Sequence, residues 1–152
     1  MQKTISRNIV DKLIELGLTI STCESITGGA IASNLVLNTN ASKCFLGSLV
    51  TYSKASKVKL AKCDQSINND NVLYSFETSK QLANAAYKAF NSDITIGITG
   101  QAPGVSYITI YAFDKYNNFE FKSTYDNKVD CINQNVAFVY NKIWDLIGDL
   151  HK

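Results

Sequence analysis

The residues of this chain best suited to chemistry lie in Thr22-Cys23-Glu24-Ser25-Ile26-Thr27-Gly28-Gly29, where a hydroxyl and a glycine pair separate a β-branched segment from a helical one. In an α/β protein such a strand-to-helix junction is a common place for a nucleophile or an anion. Ser25 is the candidate nucleophile. The glycines are expected in the first turn of the helix, where free N–H groups meet an anion or a developing oxyanion, which makes Thr27, Gly28 and Gly29 candidate substrate contacts. A plainer account is equally open: Ser25 or Thr27 is an ordinary N-cap and the glycines permit tight packing.

The only histidine is His151, next to last in the chain, so a serine nucleophile here needs another base. A lysine can serve if burial lowers its pKa. Lys57 is the candidate, close in the chain to Tyr52, although Lys54, Lys57, Lys59 and Lys62 also read as a lysine-dotted solvent face. The acids, Glu24, Asp64, Asp70 and Asp93 among them, show no metal-ligand spacing, so neither a metal nor another cofactor is expected.

The elements that must position these groups can be traced along the 152 residues, 45% of which are hydrophobic, enough for one core and one domain. Ile5, Ile9, Leu13 and Leu16 form a helical stripe that Gly17 can end. A strand over 18–22 and a helix over 27–37 follow, then a strand over 44–52 with Gly47 at a bulge or close approach. Ser53 is expected to cap a helix over 54–62. Residues 64–74 are polar and irregular, with Val72, Leu73 and Tyr74 pinned to the body. Ser75 heads a helix that buries Leu82, Ala85, Ala86, Ala89 and Phe90. A strand over 93–99 leads to the turn-forming Gly100-Gln101-Ala102-Pro103-Gly104. Strands over 105–113 and 118–123 are expected as a hairpin about residues 114–117, and a last helix covers 129–147. Ile20, Leu49, Ile96, Ile98, Ile108 and Ile110 are the expected strand core. This order predicts an α/β fold, a three-layer α/β/α sandwich with a mixed sheet.

A formal net charge of +2, a single arginine (Arg7) and no long lysine run argue against nucleic-acid binding. Cys23, Cys44, Cys63 and Cys131 contain no CxxC pair, which points to reduced, buried thiols and a cytoplasmic protein. Residues 1–8 are polar, and no apolar run reaches membrane length. Trp144, Phe119 and Phe121 are expected either to be covered by self-association or to close the core.

Three ordered stretches, Leu18 to Gly29, Gly47-Ser48-Leu49-Val50-Thr51-Tyr52-Ser53-Lys54-Ala55-Ser56-Lys57-Val58-Lys59-Leu60 and Ile96 to Gly100, resemble the C-terminal domain of the CinA family of competence/damage-inducible proteins. That resemblance implies a free-standing α/β/α domain, a homo-oligomer built from dimers, and hydrolysis of the carboxamide of nicotinamide mononucleotide with release of ammonia. It also implies Ser25 as nucleophile, Tyr52 and Lys57 as the groups serving it, and Thr99, followed by Gly100, lining the substrate pocket. Two departures stand out. The loop after Gly100 is shorter than the family's and lacks its lysine, and Asp126-Asn127-Lys128 stands where the family tends to carry arginine. Lys128 is thus the expected phosphate contact, a point charge in place of a bidentate guanidinium. The alternative is a scaffold that binds nucleotide without turnover.

Overall fold

The computed structural model describes residues 4–152. Helix α1 (Ile5–Leu16) starts at Thr4, whose hydroxyl accepts from the Arg7 N–H, and ends at Gly17 in the left-handed region. Strand β1 (Ile20–Glu24), helix α2 (Ala30–Val36) and strand β2 (Phe45–Val50) follow. Short helices α3 (Lys54–Lys59) and α4 (Asp70–Leu73) then lead to α5 (Phe76–Phe90). Strands β3 (Ile94–Gly100), β4 (Val105–Ala112) and β5 (Lys115–Lys122) and helix α6 (Lys128–Ile147) complete the chain.

The strands form one mixed sheet in the order β2-β1-β3-β4-β5, parallel across β2, β1 and β3 and antiparallel from β3 to β5. On one face Ile20, Ile96, Ile98, Ile108 and Ile110 meet α1, α2 and α6 through Ile9, Leu13, Leu35, Val139 and Ile143, all inaccessible to solvent. On the other, Cys23 joins Leu82, Ala85 and Ala86 of α5 and Ile67 and Leu73 of the irregular segment. Period-two isoleucines against period-3.6 helix stripes thus bury both faces of the sheet. The result is the three-layer α/β/α arrangement.

Some sequence expectations change in detail. The first strand and the second helix both begin later than expected, at Ile20 and Ala30. Leu49 is half-buried because β2 is an edge strand, and Ala89 is exposed. The hairpin is tighter than expected: Phe113 (φ 54°) and Asp114 (φ 61°) alone make the turn, so β5 starts at Lys115. Two successive left-handed residues match the twist of adjoining strands better than a longer loop. Residues 65–68 form a 3-10 turn and α4 follows, with Leu73 buried as expected. Gly47 lies beside the register shift between β1 and β2, where an added Cβ would fall 2.5 Å from the Phe90 ring. Trp144, Phe119 and Phe121 pack against the core; Phe121 stacks on Phe138 at 4.6 Å. All four cysteines are free and buried. Among the described residues no helix is long and apolar enough to cross a membrane.

Candidate active site

The three parallel strands place the site. Glu24, the last residue of β1, pairs with Val50 of β2 and Ile98 of β3, so the segments that leave these strands start side by side at one sheet edge. Ser25 follows β1, Thr51 and Tyr52 follow β2, and Thr99 and Gly100 end β3. The Ser53 hydroxyl accepts from the Ser56 N–H and caps α3, which turns Lys57 back across the end of β1. Lys57 is only 2% exposed, so it is not a solvent-facing lysine. Its Nζ lies 2.6 Å from Ser25 Oγ, 2.6 Å from the Thr51 carbonyl and 2.9 Å from the Tyr52 carbonyl.

That three-point contact bears on protonation. The two carbonyls can only accept, so they occupy two N–H groups of Lys57; in the neutral amine the lone pair is then left for the Ser25 hydroxyl. Burial lowers the Lys57 pKa from 10.5 to about 8. At pH 7 about one site in ten holds the amine neutral, and the fraction reaches about half near pH 8. Activity that depends on this base is therefore expected to rise with pH to a midpoint near 8. Steady-state kcat/KM measured between pH 6 and 9.5 checks this, and a flat profile would exclude Lys57 as the base. Burial also pushes the Cys23 and Cys63 thiols up to about 11. Neither supplies a thiolate to compete with Ser25 near neutrality.

The glycine pair does something other than expected. Gly28 (φ 60°) and Gly29 (φ 95°) both lie in the left-handed region, before α2 rather than in its first turn. Without Cβ atoms they can reverse the chain at once after Ser25. The Gly28 N–H donates to the Ser25 carbonyl (3.0 Å), and the N–H groups of Ile31 and Ala32 donate to the Glu24 carboxylate (2.9 and 3.0 Å). The Thr27 hydroxyl also donates to Glu24, at 2.7 Å. Thr27, Gly28 and Gly29 therefore shape the turn but do not line the cavity beside Ser25. Ile26 does line it, and its N–H has no hydrogen-bond partner among the described residues. As the amide directly after Ser25 and at the cavity wall, it is a candidate donor to an oxyanion formed there.

Ser25 and Lys57 open onto a cavity of about 430 Å³, within the ~300–1,000 Å³ usual for small-molecule sites. Tyr52, Thr99, Gly100 and Lys128 line it as well, so six of the expected site residues converge there. Thr99 is buried and its hydroxyl donates to the Leu73 carbonyl (3.2 Å), which binds the irregular segment to β3. Tyr52 serves Lys57 through its carbonyl, while its exposed ring meets Lys128: the ammonium lies 3.3 Å from the hydroxyl and 6.0 Å from the ring centroid. The short loop still makes a wall, since Gln101, Ala102 and Pro103 all face the cavity and the Gln101 N–H closes on the Val105 carbonyl. Three lysines and no carboxylate line this space, and Lys54 is already paired with Asp70 at 2.9 Å. That leaves Lys128 at the mouth as the cation for an anionic ligand.

Sequence reasoning did not assign a site role to Glu24 or Ile26. Glu24 carried a usable signal, a carboxylate directly before the candidate serine in a β-branched segment, where burial demands partners.

Comparison with known proteins agrees with this architecture. A model of the CinA C-terminal domain matches residues 2–108. The chain belongs to the CinA C-terminal domain family. A putative competence-damage inducible protein of Caldicellulosiruptor saccharolyticus is 32% identical to this CinA domain over 135 residues, 82% of the chain and 33% of that protein. A CinA-like protein of Petrotoga mobilis is 37% identical over 100 residues, 66% of the chain and 25% of that protein. The chain thus spans a third or less of these curated relatives. A solved CinA superfamily protein from Klebsiella pneumoniae superposes with a TM-score of 0.89 at 18% identity, covering 96% of this chain and 97% of that one. A competence/damage inducible protein from Agrobacterium tumefaciens gives 0.80 at 21% identity, covering 97% of each. At these identities the likeness is one of CinA fold.

Proposed function

We propose that this CinA domain is a serine amidohydrolase that converts the carboxamide of nicotinamide mononucleotide, or a related pyridine nucleotide, to the acid and ammonia. The observation that carries the reading is the 2.6 Å approach of a buried Lys57 amine to Ser25 Oγ at a cavity also lined by Lys128. Ser25 Oγ attacks the carboxamide carbon as its proton passes to Lys57, and the carbonyl oxygen takes up negative charge beside the Ile26 N–H. Lys57 returns that proton to the leaving nitrogen, so ammonia departs and an ester to Ser25 remains. Water, deprotonated by the same amine, then cleaves the ester, and Lys57 reprotonates Ser25. Lys128 and the Tyr52 hydroxyl hold the phosphate.

A second reading, nucleotide binding without turnover, draws on the short Gln101–Gly104 loop and on Lys128, which cannot grip a phosphate in the bidentate way of arginine. Ammonia release from nicotinamide mononucleotide by the purified protein separates the two. Wild type is expected to turn over, and Ser25→Ala to lose at least about 10³-fold in kcat. If wild type releases no more ammonia than Ser25→Ala while calorimetry still detects the nucleotide, the binding reading replaces the catalytic one.

A further inference from the structure

Glu24 is fully buried, yet its side chain does not line the cavity, and among the described residues it forms no ion pair with a cation. Its carboxylate instead gathers hydrogen bonds from four places in the chain, the fourth being Ser48 Oγ of β2, 3.5 Å from Oε2. Oε1 accepts from the Thr27 hydroxyl (2.7 Å) and the Ile31 N–H (2.9 Å); Oε2 accepts from the Thr22 hydroxyl (2.9 Å) and the Ala32 N–H (3.0 Å). The Thr22 hydroxyl shares a further 2.6 Å hydrogen bond with Ser48 Oγ, which carries the network into β2. One side chain therefore ties β1, the glycine turn, the start of α2 and the neighbouring strand together.

The main chain of Glu24 extends this to the base. Its carbonyl accepts from the Thr51 N–H (2.8 Å), and the carbonyl of the same Thr51 accepts from Lys57 Nζ (2.6 Å). On the other side, the Ser25 N–H donates to the Ile98 carbonyl (3.2 Å) and the Ser25 carbonyl accepts from Gly28. Ser25 thus stands between two points held by Glu24: β1, of which Glu24 is the last residue, and α2, whose first amides end on the carboxylate. Gly29, the residue at the helix start, makes no side-chain cap, so this carboxylate takes over the capping of the first α2 amides, beside the core packing of Ile31 and Leu35. Without it the turn between β1 and α2 keeps two left-handed glycines and loses the charged group that fastens it.

We propose that Glu24 is a positioning residue for the Ser25–Lys57 pair: its carboxylate sets the turn that aims Ser25 Oγ at Lys57 Nζ. The proposal rests on the reading of Ser25 as nucleophile. It requires two acceptor oxygens, because each Glu24 oxygen faces a backbone N–H that can only donate. In Glu24→Gln the amide NH₂ must face one of those N–H groups, so that side of the fastening is lost although size is kept.

The test combines turnover with reactivity of the serine itself. Wild type, Glu24→Gln and Thr22→Val are compared for ammonia release from nicotinamide mononucleotide. They are also compared for sulfonylation by phenylmethanesulfonyl fluoride, in which Ser25 Oγ displaces fluoride and its proton passes to Lys57. Mass spectrometry locates and times the adduct. Displacing a reacting atom by about 1 Å can cost roughly 10²-fold. Glu24→Gln is therefore expected to lose about 10²-fold in kcat with KM changed less than about threefold, and to be sulfonylated at least about tenfold more slowly. Thr22→Val, which removes one donor and keeps the β-branched shape, is expected to lose roughly three- to tenfold in both. A folded Glu24→Gln with wild-type kcat and sulfonylation rate overturns the proposal, whatever its melting temperature. Should Glu24→Gln fail to fold, Thr22→Val with wild-type rates overturns it equally. If wild type is sulfonylated at Ser25 but releases no ammonia, the substrate reading fails, and slower labelling of Glu24→Gln still supports the positioning role.

Discussion

Lys57→Met is expected to lower the rate of ammonia release by roughly 10²–10⁴-fold while leaving nucleotide affinity within a few-fold, since general-base catalysis supplies about that factor. Methionine keeps the length and flexibility of the buried stem and removes the amine 2.6 Å from Ser25 Oγ. Retention of more than about a fifth of wild-type kcat would rule out the dyad. The same variant has a distinctive stability signature. In wild type the folded-state pKa of Lys57 is lowered from 10.5 to about 8, so between those values the unfolded chain binds more protons than the folded one. Stability attributable to this residue therefore rises with pH across that window; below about pH 8 the folded protein bears the full cost of a desolvated ammonium. Lys57→Met should lack this rise. At pH 7 its net change is small, because relief from that cost is opposed by about 1–3 kcal/mol for each of the orphaned Thr51 and Tyr52 carbonyls. Chemical denaturation of both proteins at pH 7.5 and pH 10 measures the difference directly.

Gly97→Ala is expected to be the most destabilising small substitution in the sheet. Gly97 sits mid-way along β3 between Cys23 of β1 and Thr109 of β4, with α5 laid directly across it. An added Cβ would fall 2.2 Å from the Ser79 carbonyl oxygen and 2.4 Å from the Ala83 nitrogen, both main-chain atoms of α5. No rotamer change can relieve such a contact, so the helix must lift from the sheet and loosen the Leu82, Ala83 and Ala86 packing beneath it. Overpacking of this kind costs about 3 kcal/mol or more, a large share of the ~5–15 kcal/mol net stability of a domain. For a chain of this length that corresponds to a fall in Tm of roughly 6–12 °C. A thermal melt within about 2 °C of wild type would show that α5 is not held as closely as the Gly97 contact requires.

Helices α1, α5 and α6 could be read from the chain because their apolar stripes repeat at helical spacing, and that period is a property of neighbours a few residues apart. The isoleucines of β3 and β4 announced a buried sheet for the same reason, and Gly17 and Ser53 marked helix ends through local backbone preference. Ser25 was singled out by its place before a glycine pair, and the family resemblance linked it to Lys57. What no local pattern contained was the environment of Lys57. Its exposure and its distance from Ser25, 32 residues away, depend on the parallel pairing that sets the end of β2 beside the end of β1 and on the cap that returns α3 across them. Spacing alone made it a surface lysine; tertiary packing removed its water, and that burial lowers its pKa from 10.5 to about 8. The helix amides tell the same story. Sequence placed Gly28 and Gly29 in the first turn with their donors towards a ligand, but Glu24, only one residue before Ser25, takes the donors of Ile31 and Ala32 for itself. A buried carboxylate must find hydrogen bonds, and where it finds them is decided by the packing of strand against helix. Local sequence thus determined the elements of this CinA domain and singled out Ser25 as the candidate nucleophile, whereas only the closing of α2 and α3 over the sheet edge decided which groups face the cavity.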